Sequence, residues 1–362
     1  MKLIAEAPHP TQRIRSTLPI RRTFGLSISP NSYHRTPRCH LFRVLLKKVF
    51  YESIALWLAL AAVLFVFPWV RIWTVSQFEL SGFAPLIEQF RAFEKFSPVP
   101  LEQFLTYHGI IGLTFDEPVL LLCVLVWSIS RGTDVVSGEL GRGTMEMLLA
   151  QPITRGQLIR AHATITILGL VLLCGLVYAG LTMGIRTNST PMQSTSSWTI
   201  PWLNWNVANP MVEPEKRMVP LSELVSPSNY VASTFNLFGL GFALLGISVM
   251  VSSFDQYRWR TIGVVIGIYV LQLLLFILSK SAPSFAALKP LTFLAAYQPD
   301  WMVRTIHNDP STAWRFWMGE SASSPQEILG PMGYTSVLIL LGCVAYAIGR
   351  IQFERRDLPA PQ

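Results

Sequence analysis

Charge is what this chain has least of. Only 14% of its 362 residues are Asp, Glu, Lys or Arg, 51% are hydrophobic, and the mean hydropathy is positive. That balance excludes an ordinary soluble protein, so the length of the apolar runs says more than total length. The four cysteines, Cys39, Cys123, Cys174 and Cys343, contain no CxxC pair, and they indicate neither a disulfide framework nor a zinc site. The six histidines show no HExxH or other metal-ligand spacing, and no GxSxG elbow is present. The nearest approach to a phosphate-binding loop, Gly138 to Thr144, has no Lys before the Thr and follows no strand. The chain therefore does not read as a self-contained enzyme, and it carries no cofactor or metal motif.

What is present is apolar sequence in long runs. A membrane span needs about 20 mostly apolar residues to cross about 30 Å of hydrocarbon. Ser53 to Ile72, Ala161 to Met183, Tyr230 to Val251, Thr261 to Leu278 and Met332 to Gly349 qualify. A sixth run, Pro118 to Ile129, is short and must borrow length. Extending it backward would put Asp116 and Glu117 in hydrocarbon. Extending it forward to Gly138 includes Arg131 and Asp134, which can snorkel or pair, and this is the cheaper choice. The reading is an all-α integral membrane protein with six transmembrane helices over residues 53–350.

Orientation follows from the basic residues. Residues 1–52, the 131–160 loop, the Asp255 to Arg260 loop and the tail from Arg350 onward hold 19 of the 29 Lys and Arg residues. The positive-inside rule then places both termini in the cytoplasm. Outer loops fall at about 74–117, 186–229 and 279–331, and a cytoplasmic tail at 351–362. The sequence pI near 9.5 does not argue for nucleic acid, because the excess charge sits beside the first span, where anionic lipid is the nearer partner.

Residues 1–37 hold one acidic residue, Glu6, and no apolar periodicity, so a disordered basic arm is expected. Its composition also fits an organelle transit peptide or an over-called start site, and no role is assigned to it. Over 38–52, Phe42, Leu45, Leu46, Val49 and Phe50 share one helical face, with Arg43, Lys47 and Lys48 off it. This predicts an amphipathic helix on the inner leaflet, its lysines toward anionic lipid. A plain extension of the first span is the alternative. In the outer loops, Leu86, Phe90 and Phe93 predict one short surface helix. Trp198, Trp202 and Trp205 predict an interfacial anchor. Trp301, Trp314, Phe316 and Trp317 predict a short element dipping into the outer leaflet.

The most informative stretch is polar, from Ser137 to Leu158. Gly138, Gly141 and Gly143 loosen the backbone, and Met145 to Gln151 then favour a short helix that Pro152 must end. Thr154 with Gln157 forms a capping box, so the next helix starts at about Arg155. A compact helix between two breaks, at the water-facing end of two spans, suits a part that receives force from a soluble partner.

Glu139 with Gly143-Thr144, then Leu148-Leu149, then Gln151-Pro152-Ile153-Thr154-Arg155, set between the second and third of six spans, resembles the type-2 ABC exporter permeases. The branch containing the permease for nitrous-oxide reductase maturation is the most similar. The ending Phe353-Glu-Arg-Arg-Asp-Leu358 is similar to that family's Phe-x-Arg-Arg-Asp close. The resemblance covers about residues 39–358, although only the loop and the tail are specific. It implies half of a permease in the bacterial inner membrane, paired with a second copy or a close relative and with soluble ABC ATPase subunits that carry the ATP and Mg. It also implies that residues 139–155 are the coupling helix, with Glu139, Gly143, Thr144, Leu148, Leu149, Pro152 and Arg155 as coupling residues, and that residues 38–52 are an elbow helix. The long arm and large outer loops depart from the family pattern and leave the substrate open.

Two functions stay open at this level. One is export of a hydrophobic or amphipathic substrate. The other is a scaffold that transmits ATPase-driven motion to an extracytoplasmic protein through the outer loops, without transport. For Glu139 the alternative role is a solvated loop acid that caps a helix. For Arg155 it is an anchor at the headgroups.

Overall fold

The computed structural model describes residues 37–78, 106–151, 153–194, 197–200, 205–208, 215–281, 283–318 and 329–356. The basic arm, the expected helix around Leu86 to Phe93, Trp202, Pro152 and the residues after Arg356 lie outside them. Among the described residues, six helices are long and apolar enough to cross a membrane, as the apolar runs require: Phe42–Ser76, Tyr107–Gly141, Arg155–Thr187, Pro227–Phe254, Arg258–Ser281 and Pro331–Arg355. The all-α membrane architecture read from the sequence is the architecture observed.

The first helix, α1 (Pro37–Ser76), is continuous for 40 residues. At 1.5 Å per residue it is about 60 Å long, twice the hydrocarbon thickness. No Gly or Pro falls between residues 38 and 52 to break it, so the expected elbow is the first turns of the span helix rather than a separate element. Its apolar face is also used differently. Leu45 and Val49 are buried in protein, Leu45 in a cluster with Val135, Val136, Met145, Leu158 and Phe353.

The second span begins with α2 (Tyr107–Gly112) and a 3-10 turn through Asp116, then enters α3 (Pro118–Thr133) with Pro118 at its first turn, where the missing amide costs nothing. Helical structure continues forward from α3 through Gly141, with Arg131 and Asp134 both buried. Glu117, at the break, forms an ion pair with Arg71 of α1. After the polar loop, α6 (Arg155–Thr187) is the third span; α4 and α5 are the loop's own short helices, described below.

The fourth span, α8 (Val231–Phe254), is the centre of the bundle. It packs against α11 (Pro331–Arg355), α3, α6 and α10 (Pro299–Asn308). It carries no charged residue and is rich in Gly, Ala and Ser, which lets neighbouring backbones approach. The closest approach is to α11, where a Cβ on Gly246 would lie 2.4 Å from the Gly342 carbonyl oxygen. The fifth span, α9 (Arg258–Ser281), is peripheral, and Val270, Leu271, Leu274 and Ile277 stand exposed on it.

The loop at 186–229 is not irregular. Strand β1 (Ser189–Ser194) pairs antiparallel with β4 (Glu215–Pro220), and β2 (Ser197–Ile200) pairs with β3 (Trp205–Ala208), placing Trp198 opposite Val207. Its Thr, Trp and Val residues suit strands, but the many Ser, Pro and Asn residues hid the alternation. A one-turn helix, α7 (Leu221–Leu224), leads on to the fourth span.

In the loop at 279–331 the amphipathic element is α10, and its apolar side meets protein. Trp301, Met302, Val303 and Ile306 are buried, with Trp301 edge-on to Tyr334 at 5.7 Å. Trp314, Phe316 and Trp317 remain exposed.

Candidate functional site

The polar loop starts with a change of helical pitch. Asp134–Gly138 is a π turn, followed by the single turn α4 (Glu139–Gly141). A π turn shifts each bond to the fifth residue back and so strands an amide and a carbonyl that an α-helix would have paired. Here those groups are the Ser137 N–H and the Thr133 carbonyl. Ser252 of α8 takes part in both: its Oγ accepts from Ser137 N at 2.9 Å and lies 3.0 Å from the Thr133 oxygen, which also accepts from Ser137 Oγ at 2.8 Å. Gly138 has a matching reason, because a Cβ there would fall 2.3 Å from Asp134 Oδ1.

The turn brings two carboxylates together with cations from several elements. Asp134 meets Arg131 at 3.2 Å, Arg142 at 2.8 Å and Arg258 at 3.5 Å. Arg131 also donates to Ser53 Oγ at 3.0 Å and to the Glu52 carbonyl at 3.3 Å, tying the cluster to α1. Glu139 is fully buried. It accepts from Lys48 Nζ at 2.7 and 2.9 Å and from Arg142 at 3.1 Å, and the Thr144 hydroxyl bonds the same carboxylate. Arg142 bridges both acids. Burial works against its charge, but Asp134 and Glu139 outweigh that and hold its pKa above the ordinary value.

Glu139 is therefore neither a solvated acid nor an exposed docking group. It is the buried post on which the next helix hangs. About one turn later, Gly143 takes φ of 69°, a left-handed conformation that suits Gly. This reverses the chain into α5 (Thr144–Leu149), whose first hydroxyl returns to Glu139. Met145 is buried and Leu148 packs against the same cluster, while Glu146, Met147, Ala150 and Gln151 face outward. The side chain of Leu149 and the whole of Pro152 lie outside what the structure describes. Lys48, assigned above to lipid, instead spends its charge on Glu139, the nearer and more buried anion.

The capping box forms as read from the sequence. Thr154 N donates to Gln157 Oε1 at 2.9 Å, Gln157 N donates to Thr154 Oγ1 at 3.2 Å, and α6 begins at Arg155. Arg155 turns to the last span rather than to solvent. Its Nη1 donates to the carbonyls of Phe353, Glu354 and Arg356 at 3.1, 3.3 and 2.5 Å, and its guanidinium lies 5.7 Å from the Phe353 ring centre. Arg356 in turn donates to the carbonyls of Ser253 and Asp255, both at 3.0 Å. The tail motif thus locks the ends of α6, α8 and α11 to one another. Asp255 adds a bidentate pair with Arg260 at 2.7 and 2.8 Å. Burial would raise its pKa, but Arg260 and the N–H groups of Tyr257 and Gln256 hold it below the usual carboxylate range.

Residue-type reasoning missed Lys48, Arg142, Arg258 and Arg356 as parts of this site. Arg142, three residues from Glu139 on a helical turn, was the one readable signal.

Fold and site together define a polytopic membrane protein with one folded loop braced on the ends of its spans by buried ion pairs. The family model for ABC-2 family transporter proteins matches residues 43–358, and the chain belongs to that family. It is thus the membrane permease component of an ABC transporter, a class that works with an ABC ATPase subunit. No curated protein gives a significant match to the chain.

Proposed function

We propose that this chain is half of an exporter: it pairs with a second copy, takes motion from a separate soluble ATPase through residues 139–155, and moves a hydrophobic or amphipathic substrate outward. The loop then faces the cytoplasm, with both termini on that side of the bacterial inner membrane. Within the family, the loop and tail residues favour the branch of the nitrous-oxide-reductase-maturation permease.

The observation that carries this reading is the two-sidedness of α5. Its outer face offers Glu146, Met147, Ala150 and Gln151 to a partner. Its inner face and its Glu139 tether touch α1, and through Asp134 and Arg258 the fifth span as well. A push on α5 is therefore delivered to several spans at once. A mobile solvated loop would absorb the same push without moving them.

The experiment is Met147→Arg in the full chain co-expressed with its ATPase. Because Met147 is 72% exposed, membrane insertion and melting should stay within about 0.5 kcal/mol of the parent. Capture of the ATPase and stimulation of its hydrolysis should be lost. Normal capture and stimulation would remove α5 from the coupling path.

A further inference from the structure

At the end of the bundle away from Glu139, a cavity of about 440 Å³ lies between α3, α8, α9, α10 and the 3-10 segments before α10. That volume is in the range of small-ligand pockets, about 300–1,000 Å³. Its lining joins apolar Leu121, Leu240, Leu273 and Leu294 to charges of both signs. The acids are Asp116 and Asp300, and the bases are Lys280, Lys289 and Arg304. The coupling reading uses none of them.

Two of the bases are held in place. Arg304 lies 3.5 Å from Asp300, one helical turn away on α10. Lys280 Nζ sits 4.6 Å from the Phe276 ring centre, a cation–π contact on the last turn of α9. Asp116 differs. It is partly buried at the break before α3, and among the described residues no donor is hydrogen-bonded to its carboxylate. A carboxylate without a hydrogen-bond donor, in a cavity of mixed apolar and charged lining, favours a ligand that brings its own cationic donor. Beside the cavity, α9 exposes Leu271, Leu274, Ile277 and Leu278, a surface for hydrocarbon chains.

We propose that this cavity binds the head group of a phospholipid bearing a primary amine. The ammonium lies at Asp116 and Asp300, the phosphate among Lys280, Lys289 and Arg304, and the acyl chains follow α9 into the bilayer. A choline head group carries charge but no N–H to donate to Asp116. A purely anionic head group can set its phosphate at the same bases but brings no cation to the two acids. The inference rests on the spans and on the segment 283–308 that packs on them, and does not depend on coupling or export.

The test uses the full chain purified in detergent and offered equal amounts of phosphatidylethanolamine and phosphatidylglycerol with matched chains, the retained lipid being counted by native mass spectrometry. The parent should retain phosphatidylethanolamine over phosphatidylglycerol by about tenfold, the effect of one charge-assisted hydrogen bond. Asp116→Asn should bring that preference close to unity, and Lys280→Gln should lower retention of both lipids. Equal retention by the parent, tighter retention of phosphatidylglycerol, or an unchanged preference in Asp116→Asn overturns the assignment. If Asp116→Asn fails to assemble, Lys280→Gln decides alone, and unchanged retention of phosphatidylethanolamine in that variant overturns it as well.

Discussion

Lys48 and Glu139 stand 91 positions apart in the chain and meet at 2.7 Å, the one on the first turns of the first span and the other inside the polar loop. The pair has unequal surroundings, with Glu139 fully buried and Lys48 about one third exposed. Removing the lysine leaves the buried carboxylate with only Arg142 and Thr144 as partners, whereas removing the acid leaves a lysine that can turn to water. In a double-mutant cycle of Lys48→Met and Glu139→Gln, we expect a coupling energy of about 1–3 kcal/mol, with the lysine variant the less stable single mutant. Thermal melting of the four proteins measures it, and additivity would show that the contact is not formed.

Arg155 grips the end of α11 through three carbonyls, where the helix dipole also favours a cation. Arg155→Ala should lower stability by about 1–3 kcal/mol and open the segment after Gln352 to proteolysis. Arg155→Lys should recover little of this, because one ammonium cannot match the planar fork. Full rescue by lysine in a protection assay would mean that charge alone matters at this position.

The left-handed turn at Gly143 makes a separate forecast. A Cβ there meets nothing within 4 Å, so any penalty comes from the backbone and not from crowding. Gly143→Ala should cost about 1–2 kcal/mol, and Gly143→Asn clearly less. The ordering Gly, Asn, Ala in melting temperature is the check.

Asp255 has its pKa depressed in the folded state, so its pairing with Arg260 stabilises the fold above the unfolded carboxylate pKa of about 3.9 and is lost as pH falls through the lower folded value. Asp255→Asn should melt lower than the parent at neutral pH, and the gap should close on acidification below about pH 4. A gap that is constant with pH would assign the effect to the hydrogen bonds at Gln256 and Tyr257.

Orientation is open to reporter fusions at Gln362 and within the loop of β1. Opposite sides are expected, with Gln362 cytoplasmic, from the placing of the basic residues. Reporters on the same side would break the six-span topology.

Much of this protein is decided locally, and what is local can be read from sequence. Apolar run length sets the spans because every backbone polar group in hydrocarbon must be satisfied within its own helix. Thr154 and Gln157 set the start of α6 because a capping box needs only four residues. Gly143 marks its turn because it requires so little of the rest of the chain. The partners of Glu139, the grip of Arg155 on α11 and the use of Ser252 to satisfy a π turn on another helix were decided only in three dimensions. Each depends on which helices become neighbours, and no spacing along the chain encodes that. For the same reason Lys48 read as a lipid contact. Its charge had a known sign, but its counter-charge came from a loop that only the packing of α1 against the second and third spans brings within reach.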